Sequence, residues 1–374
     1  MRSALAATVC LSLCATLSCA ANAAPSPQPA SPQPAVTQPP ATSAAPQGPS
    51  TTARPAGAGP RVRLVATGGT ISNRAGGRLT AEELIGAIPD LPRYVTPEYE
   101  QFANTASTSM TMDQWLNLAR RINELFRTDS ALAGVVVTSG TDTLEELAYF
   151  LNLTVRDPRP VAVVGSMRNP STLGYEGAAN LLEGFRVAAD PASRGRGVMV
   201  VLNDEINAAR EVTKTDALRL QTFQTRGYGL LGVIDRDKVV YYRKVERRHT
   251  AESEFDVAAM TALPRVDVLL TYQGASGDLI QAAVDAGAQG IVIATAGAGA
   301  TSGTQGEGMR YAATKGVPVV MTTRTGSGRI AGGGGRGATI AGEDLAPIKA
   351  RILLMVALAK TKDVNELRRI FAEY

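Results

Sequence analysis

Two short stretches of this sequence set hydroxyls where a hydroxyl can react. RVRLVATGGTIS, residues 61–72, is an apolar run with alternating charge that ends in two glycines standing between Thr67 and Thr70. GVVVTSGTDT, residues 134–143, runs from valines into a Ser/Gly/Thr turn carrying Thr141 and one carboxylate, Asp142. A hydroxyl nucleophile needs a base within hydrogen-bond reach. The chain has a single histidine, His249, inside the charged run VERRHTAESE, where it is expected to be solvated rather than catalytic. A lysine or a carboxylate must then serve, and REVTKT at 210–215 sets Lys214 among hydroxyls. A desolvated lysine gives up its proton more readily, although composition alone reads Lys214 as a surface residue.

Both threonine stretches require buried strands that end in glycine turns, because open α/β sheets hold their ligands at the carboxyl ends of the strands. Residues 61–66 and 134–138 read as such strands, and Gly68-Gly69 lets the backbone leave the first in a conformation that a Cβ resists. The pattern around them alternates, with helices at 81–88, 112–126, 143–153 and 177–189 and further strands at 160–165 and 197–202. Residues 238–242 look like half of a hairpin, and the charged stretch 246–256 follows. Strands at 266–272, 290–296 and 318–323 then alternate with helices at 277–286, 306–314, 345–358 and 364–371. The expected fold is α/β, with a large N-terminal mainly parallel-sheet domain (61–248), a linker (249–262) and a smaller C-terminal α/β domain (263–374).

The rest of the 374 residues bounds the function. A 44% hydrophobic and 19% charged composition is that of a globular protein, and a net charge of +4 from scattered Lys and Arg leaves no footprint for nucleic acid. Met1-Arg2, the apolar run 5–21 and Ala21-Asn22-Ala23 read as a secretory signal over residues 1–23, so the mature chain is expected to start at Ala24 and to be periplasmic or secreted. Lipidation at Cys19 is the second choice. Residues 24–60, rich in Pro and Ala with SPQPA repeated, read as a disordered spacer. No apolar run of membrane-spanning length occurs after the signal. All three cysteines, Cys10, Cys14 and Cys19, lie in the signal, which leaves the mature chain without a disulfide or a thiol nucleophile. With no Cys/His cluster a structural zinc is not expected. Gly332, Gly334 and Gly337 satisfy G-x-G-x-x-G formally but outside a strand–turn–helix unit, and no P-loop is present, so no cofactor is expected.

ATGGTIS at 66–72, VVVTSGTDTLEELAYFL at 135–151, VVGSMR at 163–168 and VTKTD at 212–216 resemble, in order, the signatures of the bacterial type II L-asparaginases and glutaminase-asparaginases. The resemblance runs from about residue 61 to the carboxyl end. It implies hydrolysis of L-asparagine, with L-glutamine as a weaker or comparable substrate, through a threonine acyl-enzyme. By it Thr70 is the nucleophile, and Thr141, Lys214 and Asp142 form a second cluster that activates the attacking hydroxyl or the later water. A carboxylate beside Lys214 would oppose its use as a base, whereas one facing the substrate's α-ammonium makes a charge-assisted bond, so Asp142 is read mainly as a substrate ligand. NTASTSM at 104–110 matches the loop that grips the α-carboxylate through Ser107, with Thr108 where the family often has Gln or Glu. Ser166 falls where the family holds the amide. The segment 72–80 is shorter than the family's mobile loop and lacks its tyrosine, Arg74 lying nearest that place. YQGAS at 272–276 lacks an asparagine found in several members, and Ser276 is the candidate replacement. The resemblance also implies a homotetramer in which the second domain completes a neighbour's site. A catalytically weak amino-acid binding protein on the same fold is the alternative.

Overall fold

The computed structural model describes residues 59–330 and 339–374. The signal-like segment with its cysteines, nearly all of the spacer and the Gly332–Gly337 motif lie outside the described residues.

The first strand, β1 (Arg61–Gly68), is followed by a two-strand ribbon, β2 (Asn73–Arg74) and β3 (Gly77–Arg78), then by α1 (Ala81–Gly86) and β4 (Thr96–Thr105). The next elements are α2 (Met112–Thr128), β5 (Leu132–Thr138), α3 (Leu144–Thr154), β6 (Val161–Val164), α4 (Gly177–Ala189) and β7 (Val198–Leu202). Short strands β8 (Glu205–Ala208), β9 (Thr213–Lys214), β10 (Phe223–Gln224), β11 (Gly232–Ile234) and β12 (Val239–Tyr241) close the first half. Eight of these strands form one sheet in the order β12-β11-β8-β7-β6-β5-β1-β4. The five from β4 to β7 run parallel, and β8, β11 and β12 extend the sheet antiparallel.

Sequence dictates these layers through burial on both faces. Val135 and Val137 face the core with α2 and α3, where Trp115 meets Phe150 with ring centroids 5.5 Å apart. Val136 and Leu64 face the opposite core with α1 and α4. Capping boxes start α1 (Thr80 with Glu83) and α2 (Thr111 with Gln114), satisfying amides that the first turn leaves unpaired.

The second half is β13 (Val266–Leu270), α5 (Asp278–Asp285), β14 (Gly290–Thr295), α6 (Gln305–Thr314), β15 (Val319–Thr323), β16 (Thr339–Ala341), α7 (Pro347–Leu358) and α8 (Val364–Glu373). Its four strands are parallel in the order β13-β14-β15-β16. Its α7 packs on α3, so Leu353, Val292 and Phe371 belong to the same core as Trp115 and Val137.

Strand β4 is absent from the sequence reading, for a physical reason. Its one paired edge is held by charge rather than by apolar alternation. Glu98 accepts from Arg61 Nε at 2.6 Å and pairs with Arg63, and Glu100 lies 2.8 Å from Arg121 of α2. The stretch around His249 is a correction. Instead of a solvated charged run it is packed: His249 is buried beside Thr250, at 2.8 Å between Nδ1 and Oγ1, and burial pushes its imidazole pKa down. Arg248 and Glu254 pair with Glu373 and Arg369 of α8.

One buried carboxyl gives the fold a testable pH dependence. Asn203 and Asp204 form the left-handed turn between β7 and β8 (φ 55° and 62°), and Glu183 of α4 accepts from the Asp204 amide at 3.1 Å. Burial, reinforced by Asp204, pushes the Glu183 carboxyl up to about 8. A pKa raised on folding contributes stability that is present below the unfolded value and is lost as pH rises through 8. Glu183→Gln should therefore melt close to the unmodified protein at pH 5 and about 3–6 °C above it at pH 9 by calorimetry; equal melting at both pH values would refute the assignment.

Candidate active site

Two glycine turns make the site. After β1, Gly68 and Gly69 adopt φ of 102° and 94°. A Cβ on Gly68 would lie 2.5 Å from the Thr105 amide nitrogen, and one on Gly69 would lie 2.3 Å from the Gly140 nitrogen. The two turns are thus in backbone contact, and each is followed by its threonine, Thr70 and Thr141. A Cβ on Gly140 would in turn meet Ser107 Oγ at 2.7 Å, which brings the start of the 104–110 loop into the same cluster. From β1 the chain moves outward to β4 and then returns to β5 on the other side of β1, so these turns flank the point where strand order reverses. That crevice is where open α/β sheets take their ligands.

Gly69→Ala should lower turnover by about 100-fold or more, because the added Cβ must push the two turns apart. Gly76→Ala is the control: φ is also left-handed, at 82°, but the added Cβ would meet nothing within 4 Å. Comparable losses in both variants would show that strain, not turn contact, is being measured.

Thr70 opens a single 3-10 turn (Thr70–Ser72), is half-buried, and its hydroxyl has no hydrogen-bond partner among the described residues. Thr67, by contrast, is structural: its hydroxyl donates to the Thr138 carbonyl at 2.6 Å and ties β1 to β5. On the other side Lys214 Nζ donates to Thr141 Oγ1 at 3.0 Å and to Asp142 Oδ1 at 2.8 Å. The Lys214 side chain is 15% exposed and that of Asp142 is 70% exposed, so the amine is sheltered while its counter-ion faces solvent. Asp142, read from the sequence mainly as a substrate ligand, is paired with Lys214 here. Neither it nor another side chain caps α3.

The other sequence candidates separate. Ser107 is buried beside Gly140, whereas Thr108 on the same turn is exposed. Ser166 is buried, with its hydroxyl donated to the Arg168 carbonyl at 2.6 Å. Arg74 is turned away to Glu83 of α1, at 2.9 Å. Ser276 accepts from the Asp278 amide at 3.1 Å and lines a small recess of the second sheet with Tyr272 and Gln305, so its described bonds do not reach the Thr70 cluster of its own chain.

Residues 61–247 match the family description "Asparaginase, N-terminal" and residues 265–371 match "Glutaminase/Asparaginase C-terminal domain". The chain belongs to the asparaginase family. It is 41% identical over 327 residues to L-asparaginase 2 of Bacillus subtilis, covering 84% of this chain and 87% of that one. It is 38% identical to L-asparaginase 2 of Escherichia coli, covering 84% and 93%. The fold superposes with a TM-score of 0.79 on the crystal structure of a probable cytoplasmic L-asparaginase from Campylobacter jejuni, at 38% identity, covering 84% of this chain and 99% of that one.

Three polar residues near this asparaginase-type site have no part in the sequence reading. Tyr175 donates its hydroxyl to the Ile71 carbonyl at 2.9 Å, holding the turn of Thr70 from the 166–176 segment. Glu145 accepts from the Lys214 amide, and Lys349 of α7 stands behind it. The last two carried a signal: each is a charge set in a helix otherwise rich in apolar residues. A cavity of about 820 Å³ opens on this rear side, lined by Thr213, Lys349, Arg210 and the strand ends of the second sheet, and Thr70 is not part of its wall.

Proposed function

We propose that this chain hydrolyses the side-chain amide of L-asparagine to L-aspartate and ammonia through a Thr70 ester, with L-glutamine as a weaker or comparable substrate. The observation that carries the reading is the 3.0 Å contact from Lys214 Nζ to Thr141 Oγ1, set across the touching glycine turns from Thr70.

An ammonium that donates to both Thr141 and Asp142 has no lone pair with which to take a proton. The arriving α-ammonium of the substrate competes for Asp142 through a charge-assisted bond and frees Lys214. Freed of that carboxylate, Lys214 releases a proton to solvent and, as the neutral amine, draws a proton through Thr141 as Thr70 Oγ1 adds to the amide carbon; the C–N bond breaks, the proton held on Lys214 leaves with ammonia, and water then hydrolyses the ester. The Gly69 N–H is already donated to the Thr105 carbonyl at 2.9 Å, so the amides of Thr70 and Thr141 are the ones assigned to the developing oxyanion. Ser107 is assigned to the α-carboxylate.

Ammonia release from purified protein given each amino acid tests the reading, and release from neither would end it. Aspartate binding by calorimetry without turnover would favour the binding-protein alternative, which the unpartnered Thr70 hydroxyl keeps in view. Because Ser276 lies off its own chain's cluster, the reading extends to a homotetramer in which it lines a neighbour's site; sedimentation showing a fully active monomer would refute that. Export through residues 1–23 is tested by fractionating cells. No helix among the described residues is long and apolar enough to cross a membrane.

A further inference from the structure

Strand β9 is two residues long and, among the described residues, pairs only with β10, through Lys214 opposite Phe223 and Thr213 opposite Gln224. So short a ribbon does not hold itself in place. Lys214 is instead gripped at both ends by one stretch of chain. Its amine meets Thr141 and Asp142, while its backbone amide donates to Glu145 Oε1 at 3.0 Å, and the Thr213 hydroxyl donates to the same oxygen at 3.1 Å. Glu145 is buried, and its Oε2 has no hydrogen-bond partner among the described residues. A buried carboxylate is costly unless a charge faces it. The facing charge is Lys349, wholly buried on α7, with Nζ 3.8 Å from Oε2. That amine also donates to the Ala209 carbonyl at 2.8 Å and to the Val212 carbonyl, so it binds the segment that leads into Lys214.

We propose that Glu145 and Lys349 are positioning residues for Lys214: together they fix its backbone to the turn carrying Thr141 and Asp142, and through α7 they make the second α/β half of the same chain part of the catalytic scaffold. Burial pushes the Lys349 amine down to about 8, a cost the Glu145 carboxylate partly offsets. The inference rests on the amidohydrolase reading above.

The test is steady-state turnover of L-asparagine with aspartate affinity and melting temperature measured alongside. Glu145→Ala and Lys349→Met should lower kcat by about 100-fold with KM and aspartate affinity changed by less than about threefold, since a displacement near 1 Å costs that much in rate. Glu145→Gln keeps the acceptor for both donors and should recover to within about fivefold. Thr213→Val, a near-isosteric change at a half-buried position that removes one of the two donors to Glu145, should lower kcat by about threefold to tenfold and decides the matter if the alanine variant does not fold. Normal kcat in Thr213→Val and Lys349→Met, equal loss in the Gln and Ala variants, or a lower melting temperature with unchanged kcat would each overturn the proposal. If the unmodified protein itself releases no ammonia, the amidohydrolase reading fails instead, and the two failures are told apart.

Discussion

Thr70→Ala is expected to fold, to bind aspartate as the unmodified protein does, and to hydrolyse asparagine on the order of a thousandfold more slowly or worse. Folding should survive because the change deletes a hydroxyl that has no partner among the described residues, on a half-buried turn held by other groups. Those groups are the Gly69 amide on Thr105, the Ser72 amide on the Gly69 carbonyl, and Tyr175 on the Ile71 carbonyl. Binding should survive because the groups assigned to the α-ammonium and α-carboxylate, Asp142 and Ser107, lie on other segments. Only the chemistry has nowhere else to go. Mass spectrometry of an acid-quenched reaction should find the acyl group on the peptide containing Thr70, and an adduct on Thr141 would move the nucleophile to the second turn while leaving the reaction class intact.

The parts of this site that were legible in the sequence are those written in local chemistry. Gly68-Gly69 and Gly140 announce turns that no side chain can enter, and valine runs announce the strands behind them. Since β1 and β5 are buried on both faces, their apolar runs could be seen without knowing what covers them. What stayed hidden depends on partners far along the chain. Strand β4 keeps its place through Glu98 and Glu100 against Arg61, Arg63 and Arg121, and a periodicity of hydrophobicity does not register such pairs. His249 looked solvated because its neighbours are charged, yet those charges are consumed by α8. Asp142 illustrates the same limit from the opposite side: its type allowed either a lysine or a ligand as partner, and only the fold sets its oxygen 2.8 Å from Lys214.

The division of labour among Lys214, Thr141 and Asp142 is open to a second large effect. Lys214→Met keeps most of the sheltered stem and deletes the amine, so the β9–β10 ribbon should remain and kcat should fall about as far as in Thr70→Ala. Thr141→Val removes only the oxygen that receives the amine's hydrogen bond, and should fall nearly as far. Because the two act as one proton path, the double variant should lose little more than either single one, against the product of the two losses expected for independent sites. Asp142→Asn separates the remaining question. The amide oxygen can still accept from Lys214, but the charge that would draw the substrate's α-ammonium is gone. If Asp142 exchanges partners when substrate arrives, KM should rise by about tenfold or more as a charge-assisted bond is lost, with a smaller change in kcat. Unchanged KM with a collapsed kcat would instead tie Asp142 permanently to Lys214, and near-normal activity of Lys214→Met would remove the lysine from the chemistry altogether.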